Sequence, residues 1–123
     1  MMKTFHSVDK NSCPVRDIIG HLGDKWSLLV LITLETNGTM RFSDIDRSIG
    51  DISQRMLTVT LRSLEANGLV SREVFPEVPP RVEYCLTERG YSLIPHIQNL
   101  MKWAIENMPD IIDIRKGYKK KRG

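Results

Sequence analysis

The sequence has 123 residues and a mass of 14.1 kDa, which fits one domain of ordinary size. Hydrophobic residues make up 41% and charged residues 27%, a balance typical of a globular protein with an apolar core. No apolar run approaches the ~20 residues of a membrane span, the start lacks the apolar segment of a signal peptide, and two cysteines are too few for a disulfide scaffold. We therefore expect a cytoplasmic protein with no membrane partner.

The net charge of +3 comes from the end of the chain. Residues 115–122 contain six lysines and arginines, and the remainder carries 12 basic against 15 acidic residues. A nucleic-acid-binding surface in the body must therefore be a local patch. We divide the chain into a flexible start at 1–12, a folded domain at 13–108 and a basic tail at 109–123.

Two helices are predicted in the first third of the chain. Cys13-Pro14 opens the first, because proline suits the first helical position. Its apolar residues are Val15, Ile18, Ile19 and Leu22. Residues 25–36 then predict a helix that is apolar almost all round, and hence one that lies at the centre of the fold.

A short helix and a longer one follow, separated by a tight turn. Ser43, with Asp46 three residues later, is interpreted as the capping box of the short helix, which Gly50 closes. Ser53 is the expected cap of the longer helix, which stops at Asn67-Gly68. Its predicted buried stripe consists of Leu57, Leu61 and Leu64.

The period of the pattern changes to two after this helix. LVSREVF and RVEYCLT alternate and predict a two-stranded hairpin, whose stiff tip is the intervening PEVPP. Thr87 is the expected cap of a last helix over 88–108, which Pro95 should kink or split. The order of these elements predicts a mainly α fold with a small β-hairpin wing, a winged helix-turn-helix.

The outward face of the helix after Ser53 carries side chains suited to reading DNA. At about 100° per residue, this face lies opposite the leucine stripe and contains two arginines and no acid. Gln can read adenine, Arg can read guanine or grip a phosphate, and Thr or Val can touch a thymine methyl group. The alternative is a solvated amphipathic helix with two exposed arginines. The candidate DNA-binding residues here are Ser53, Gln54, Arg55, Thr58, Val59 and Arg62.

The stretch from Cys13 to Trp103 resembles the HxlR-type transcriptional regulators, which are winged-helix relatives of the MarR regulators. The resemblance rests on Lys25-Trp26, on RMLTVTLRSLEANGLVSR and on the wing that ends VPPRVEYCLT. It implies a homodimer that binds double-stranded DNA at a pseudo-palindromic operator as a repressor or an activator. It places the recognition helix on residues 53–65 and the wing on 70–86. The operator and any small-molecule effector are not indicated.

Arginines outside the recognition helix are further candidates. Arg81 follows the rigid Pro79-Pro80 tip, and we expect it to contact DNA; the alternative is a surface arginine paired with Glu83 or Glu77. Arg41 precedes the short helix and is expected to hold a phosphate. Arg72 is interpreted as a structural residue under the wing.

A wide apolar arc on the last helix predicts a homodimer. This arc is broader than one small domain needs to cover, and we expect it to pair with the first helix across a twofold axis. The alternative is a helix that is wholly buried in its own domain. The candidate interface residues are Val15, Ile18, Ile19, Leu22, Ile94, Ile97, Met101 and Ile105.

Cys13 is a candidate redox-sensing thiol. A thiol at a helix N-terminus gains from unpaired N–H groups and the helix dipole, which lower its pKa and raise its reactivity. The resemblance adds that some family members with a cysteine at this place sense oxidants or electrophiles. The alternative is a small packing residue near the dimer interface.

No pattern for catalysis or for a cofactor is present in the sequence. His6, His21 and His96 show no metal-ligand spacing with the cysteines, and neither a P-loop nor G-x-S-x-G occurs. We therefore expect no enzyme, no cofactor and no metal. Two functions remain, a dimeric DNA-binding transcriptional regulator and a winged-helix protein-interaction module that does not bind DNA.

Overall fold

The computed structural model describes residues 14–122, which form five α-helices and three short strands. The predicted mainly α fold with a β-hairpin wing is confirmed, and its element order is that of a winged helix-turn-helix. The elements are α1 Pro14–Leu22, α2 Lys25–Asn37, β1 Met40–Arg41, α3 Phe42–Ile49, α4 Gln54–Ala66, β2 Val70–Phe75, β3 Arg81–Leu86 and α5 Glu88–Arg122.

The hydrophobic core lies around α2, as its almost wholly apolar sequence predicted. Val30, Leu31 and Leu34 of α2 are fully buried. The predicted leucine stripe of α4 is confirmed, because Leu57, Leu61 and Leu64 are buried in the same cluster. Packing these leucines against α2 removes their apolar surface from water, which is the main favourable contribution to folding.

The wing is a three-stranded antiparallel sheet in the order β1-β3-β2. β2 and β3 pair from Val70 opposite Leu86 to Phe75 opposite Arg81. The two-residue strand β1 joins the other edge of β3 and was not predicted, because two residues are too few to show an alternating pattern. Val70, Leu86 and Met40 are buried, so one face of the sheet continues the core.

The capping box predicted at Ser43 and Asp46 is wrong. α3 begins at Phe42, two residues earlier than that box requires, and Arg41 is its N-cap. The backbone N–H of Arg41 donates to Asp44 Oδ2 at 3.3 Å, so the carboxylate three residues on satisfies this donor. The helix starts here because Arg41 is already extended by its pairing in β1.

Thr87 caps α5 as predicted and also fastens the helix to the end of α4. Its Oγ1 accepts from Gly90 N–H at 3.1 Å and donates to the carbonyl of Gly68 at 2.6 Å. Its backbone N–H donates to the carbonyl of Leu69 at 3.0 Å. The start of α5, the base of the wing and the end of the recognition helix are therefore held together at one point.

α5 runs unbroken through Pro95 and Pro109 to Arg122, so Pro95 does not split the helix, and the last helix extends beyond its predicted end at 108. Each proline removes one backbone donor and leaves the carbonyl four residues earlier without its helical partner. Both prolines are exposed, as are Tyr91 and Ile105, whose carbonyls lose those partners, so water can solvate the freed groups. The basic residues at 115–122 thus belong to a helix.

Gly90 is the position where α5 approaches the preceding chain most closely, and we predict that Gly90→Ala destabilises the fold. A Cβ at residue 90 would collide with the carbonyl oxygen of Leu69, a backbone atom that cannot turn aside. Overpacking of this kind costs about 1–3 kcal/mol in the free energy of unfolding. Urea denaturation of the variant measures it.

Gly117→Ala is the matched control, because a Cβ at that position of the same helix meets no atom within 4 Å. It should unfold at the same urea concentration as the parent or a higher one. Equal stability of the Gly90→Ala variant and the parent would contradict the close approach.

Candidate nucleic-acid interface

The helix-turn-helix consists of α3, a turn at Gly50 and α4. The turn places Gly50 at a φ of 87°, a conformation that glycine adopts without strain. Ser53 caps α4 as predicted, with its hydroxyl accepting from Met56 N–H at 3.0 Å. Ile52 beside it is buried and anchors the start of the helix to the core.

The side chains predicted to face outward from α4 do so. Four of these side chains are exposed, namely Ser53, Gln54, Arg55 and Arg62. The exposed fraction of Val59 is 53%. Thr58 differs, since it is half-buried and its hydroxyl donates to the carbonyl of Gln54 at 2.9 Å. The hydroxyl of Thr58 is thereby occupied, while its methyl group remains as a contact surface.

The outward arginines of α4 have no acidic partners in the described part of the chain. The four ion pairs found within residues 14–122 involve neither Arg55 nor Arg62. The single acid of α4 is Glu65, near its C-terminal end. The outer face of the helix therefore presents uncompensated positive charge at its first and middle turns.

Arg41 also lies beside this face. It is exposed at the junction of β1 and α3, where it directly precedes the first helix of the helix-turn-helix. Arg47, on α3 itself, is neutralised by Asp44, since its Nη2 lies 2.7 Å from Asp44 Oδ1. Of these two arginines, Arg41 is therefore the one suited to a phosphate contact.

Arg81 is engaged inside the wing, where it pairs with the two glutamates that the sequence offered as alternative partners. Its Nη1 lies 3.0 Å from Glu77 Oε2 and its Nε lies 3.2 Å from Glu83 Oε2. Its guanidinium stacks 4.0 Å from the ring centre of Phe75, the residue opposite it in the sheet, and the side chain is 27% exposed. The alternative left open by the sequence, pairing with both glutamates, is the one observed.

A recess between α4 and the wing contains an arginine that sequence reasoning did not assign to DNA. This wing recess has a volume of about 310 Å³. Arg72 is exposed there, makes no ion pair with the rest of residues 14–122 and lies opposite Tyr84 across the sheet. The available signal was an arginine between two valines on the core-facing side of β2. The recess is lined by Phe42, Thr58, Arg62, Glu65, Arg72 and Tyr84.

The candidate dimer residues divide into two groups. Ile94 and Ile97 are 4% and 3% exposed and belong to the domain's own core, so assigning them to an interface was wrong. Val15 and Leu22 are half-buried, and Leu22 packs against the core. Exposed members of the predicted set are Ile18, Ile19, Met101 and Ile105.

The apolar face of α5 continues beyond the domain. Ile94 and Ile97 begin a series in which intervals of three and four alternate, and Met101, Ala104, Met108 and Ile111 continue it. α5 has 35 residues and is about 50 Å long, whereas a small domain is about 30 Å across. The distal half of the helix therefore projects with its apolar face largely uncovered.

The two cysteines cannot be compared directly. Cys13 lies outside the described residues. Cys85 is half-buried in β3, and its Sγ lies 3.1 Å from Ser71 Oγ on the neighbouring strand. Cys85 is thus held within the sheet.

Among residues 14–122, no helix is long and apolar enough to span a membrane. Within the same residues, no three His, Cys, Asp or Glu side chains are grouped so as to hold a metal ion.

Comparisons with known proteins agree on one family. The family model for HxlR-like helix-turn-helix proteins matches residues 21–111. An HTH-type transcriptional regulator of Methanothermobacter thermautotrophicus is 56% identical over 96 residues, covering 78% of this chain and 72% of the relative. Both relatives and structural neighbours are named as regulators, which confirms the expectation that the chain is not an enzyme.

Solved structures show the same fold. The transcriptional regulator ytfH of Salmonella typhimurium is similar with a TM-score of 0.78 and 36% identity, over 87% of this chain and 95% of that one. The redox regulator HypR in its reduced form is similar with a TM-score of 0.71 and 40% identity, over 81% of this chain and 97% of that one.

Proposed function

The chain belongs to the HxlR-like helix-turn-helix family of transcriptional regulators, and from that premise we propose that it binds double-stranded DNA sequence-specifically as a homodimer. The observation that carries the proposal is the outer face of α4, where Arg55 and Arg62 are exposed without acidic partners in a body with more acids than bases. DNA binding places the protein in the cytoplasm, where a bacterial or archaeal chromosome lies.

Each exposed position of α4 supplies a different contact in the major groove. Arg55 and Arg62 suit guanine or a phosphate, and Gln54 suits adenine. Val59 and the methyl group of Thr58 suit a thymine methyl group. Ser53 keeps its cap on α4, and its position at the N-terminal end of the helix suits an approach to a phosphate. Arg41 supplies a further backbone contact from the start of α3.

A protein-interaction module would not need this arrangement. A protein partner would have to supply acidic groups for both arginines, because burying an unpaired charge is costly. A DNA backbone supplies a phosphate at every nucleotide, and its counterions are released when arginines approach. DNA binding is therefore the function that the geometry favours.

We predict that Arg55→Ala and Arg62→Ala weaken binding to operator DNA and leave the fold intact. Loss of a base contact costs about 1–3 kcal/mol, and loss of a phosphate contact lowers the salt slope by about one. Fluorescence anisotropy at two salt concentrations, with DNA from the protein's own upstream region, measures both quantities. Arg81→Ala is the matched control, since that arginine is engaged within the wing, and its affinity should stay near the parent's. Parent-like binding by both α4 variants would show that α4 is not the recognition helix.

The homodimer is proposed to form through the distal half of α5 together with α1. Met101, Ile105 and Met108 extend the face that Ile94 buries in the domain core, so this face is already built for packing against a helix. Ile18 and Ile19 of α1 are exposed and add apolar surface. A twofold axis would present two recognition helices to half-sites about 34–36 Å apart, which implies a pseudo-palindromic operator.

We predict that Ile105→Glu combined with Met108→Glu yields a monomer, because two buried carboxylates would oppose association. Ile114→Glu is the matched control, since Ile114 is exposed on the opposite side of the same helix. Light scattering should give twice 14.1 kDa for the parent and the control, and 14.1 kDa for the double variant. A parent of 14.1 kDa at micromolar concentration would rule out this dimer.

A redox response through Cys13 is proposed as the regulatory input. Cys13 directly precedes Pro14, the first residue of α1, and a helix N-terminus stabilises a thiolate. The similarity to a regulator named for redox control supports this assignment. Modification beside α1, in the proposed dimer interface, would change the spacing of the recognition helices and release DNA. The alternative is that Cys13 only packs at the interface.

We predict that Cys13 reacts with diamide faster than Cys85, which is held in the sheet beside Ser71. Thiol labelling of Cys13→Ser and Cys85→Ser variants between pH 5 and 9 gives the pKa of each remaining thiol; that of Cys13 should fall below the free value of about 8.5. Oxidant should release DNA from the parent and from Cys85→Ser, and not from Cys13→Ser. If oxidant does not change DNA binding by the parent, Cys13 is a packing residue and not a sensor.

A further inference from the structure

We propose that the wing recess between α4 and the sheet holds one backbone phosphate of the bound DNA, gripped by Arg62 from the helix and Arg72 from the wing. The inference rests on the proposed DNA binding and extends it to a residue outside the recognition helix. It makes Arg72 the residue through which the wing sets the position of α4 on the duplex.

The charge of the recess suits a phosphodiester. Arg62, Arg72 and Glu65 are its charged lining residues, which leaves one net positive charge to meet the single negative charge of a backbone phosphate. A volume of about 310 Å³ admits a phosphate group together with water. Phe42 and Tyr84 form part of its wall, and such ring surfaces limit hydration and strengthen charge interactions inside.

The contacts of Arg72 differ from those of Arg81, the other arginine of the wing. Arg81 has two glutamates and a ring as partners. The side chain of Arg72 has no ion pair, hydrogen bond or ring contact with another residue of the described 14–122. Repulsion between two arginines that line one recess raises the free energy of the protein, and an anion bound between them offsets it by attraction to both.

The hydrogen-bonding groups of the recess also suit a phosphate. Within the described chain the hydroxyl of Tyr84 has no hydrogen-bond partner, so it is available to donate to a phosphate oxygen. Thr58 is not available, because its hydroxyl already donates to the carbonyl of Gln54. Two guanidinium groups and one phenol therefore make the donor set for the phosphate.

The test compares Arg72→Ala with Arg72→Lys and with a control, Arg89→Ala. Arg89 is an exposed arginine of α5 that lines no part of the recess, so its removal changes the net charge equally. Binding to operator and to unrelated DNA is measured by anisotropy over a series of salt concentrations. Arg72→Ala should lose affinity by the same factor on both DNAs and lower the salt slope by about one. Arg72→Lys, which keeps the charge, and Arg89→Ala should keep the parent's slope.

Neutral methylphosphonate links, placed one at a time along the operator, locate the phosphate. One link should weaken the parent severalfold and Arg72→Ala clearly less, because the variant keeps only the Arg62 side of that contact. The recess assignment is overturned if Arg72→Ala keeps the salt slope of the parent, or if both proteins are weakened equally by every methylphosphonate link. Either result leaves the proposed DNA binding standing. A parent that binds no DNA overturns the recess and the proposed function together.

A purely structural role for Arg72 gives a different result. In that case Arg72→Ala would lower the melting temperature and its affinity would be recovered at lower temperature, with the salt slope unchanged. Glu65→Gln separates the two further, since removing the carboxylate from the recess should tighten binding to any DNA. Weaker binding by Glu65→Gln would mean that Glu65 orders the arginines in place of a phosphate, and would overturn the proposal.

Discussion

The burial of one face of α4 against α2 determines which side chains the helix can offer to a partner. Leu57, Leu61 and Leu64 are fully or almost fully buried with the apolar residues of α2. A rotation of α4 by one residue would expose leucine and bury arginine. The free energy lost in that exchange is far larger than the free energy that any surface contact contributes. The direction in which Arg55 and Arg62 point is therefore a consequence of core packing.

The arginines differ in whether a carboxylate lies within ion-pair distance. Arg47 and Arg81 lie within ion-pair distance of carboxylates, so a phosphate would have to displace an existing partner to bind them. No carboxylate would have to be displaced for a phosphate to bind Arg55, Arg62 or Arg72. The net charge of +3 comes from residues 115–122, whereas the arginines without acidic partners that are candidates for DNA contact lie on α4 and in the recess beside it.

Most of the fold was predictable from sequence because the core pattern is periodic and the caps are conventional. Ser53, Thr87 and the leucine stripe of α4 are correct, since each depends on neighbours within a few residues. The misses depend on residues distant in sequence. β1 exists only through pairing with β3, and that pairing shifted the start of α3 by two residues.

The surroundings of Arg81 and of the apolar face of α5 were unpredictable for the same reason. Arg81 is directed inward because the sheet places Phe75 opposite it and the hairpin brings Glu77 alongside, a geometry that strand alternation does not reveal. Ile94 and Ile97 shared a helical face with Met101 and Ile105, and periodicity could not show where the domain ends along that face. Surface and core are continuous on α5, so only the packed fold separates them.

That continuity has a mechanical consequence. α5 is one helix from Thr87, where it is hydrogen-bonded to the end of α4, to its projecting distal half. A helix transmits a rotation along its length, and it bends most easily where backbone hydrogen bonds are missing, which in α5 is at Pro95 and Pro109. A change in how the distal half packs against a second copy would therefore shift α4, with any bend of α5 taken up at these two prolines. In such a dimer, regulation of DNA binding requires a small change in interface geometry, and the hydrophobic core around α2 stays intact.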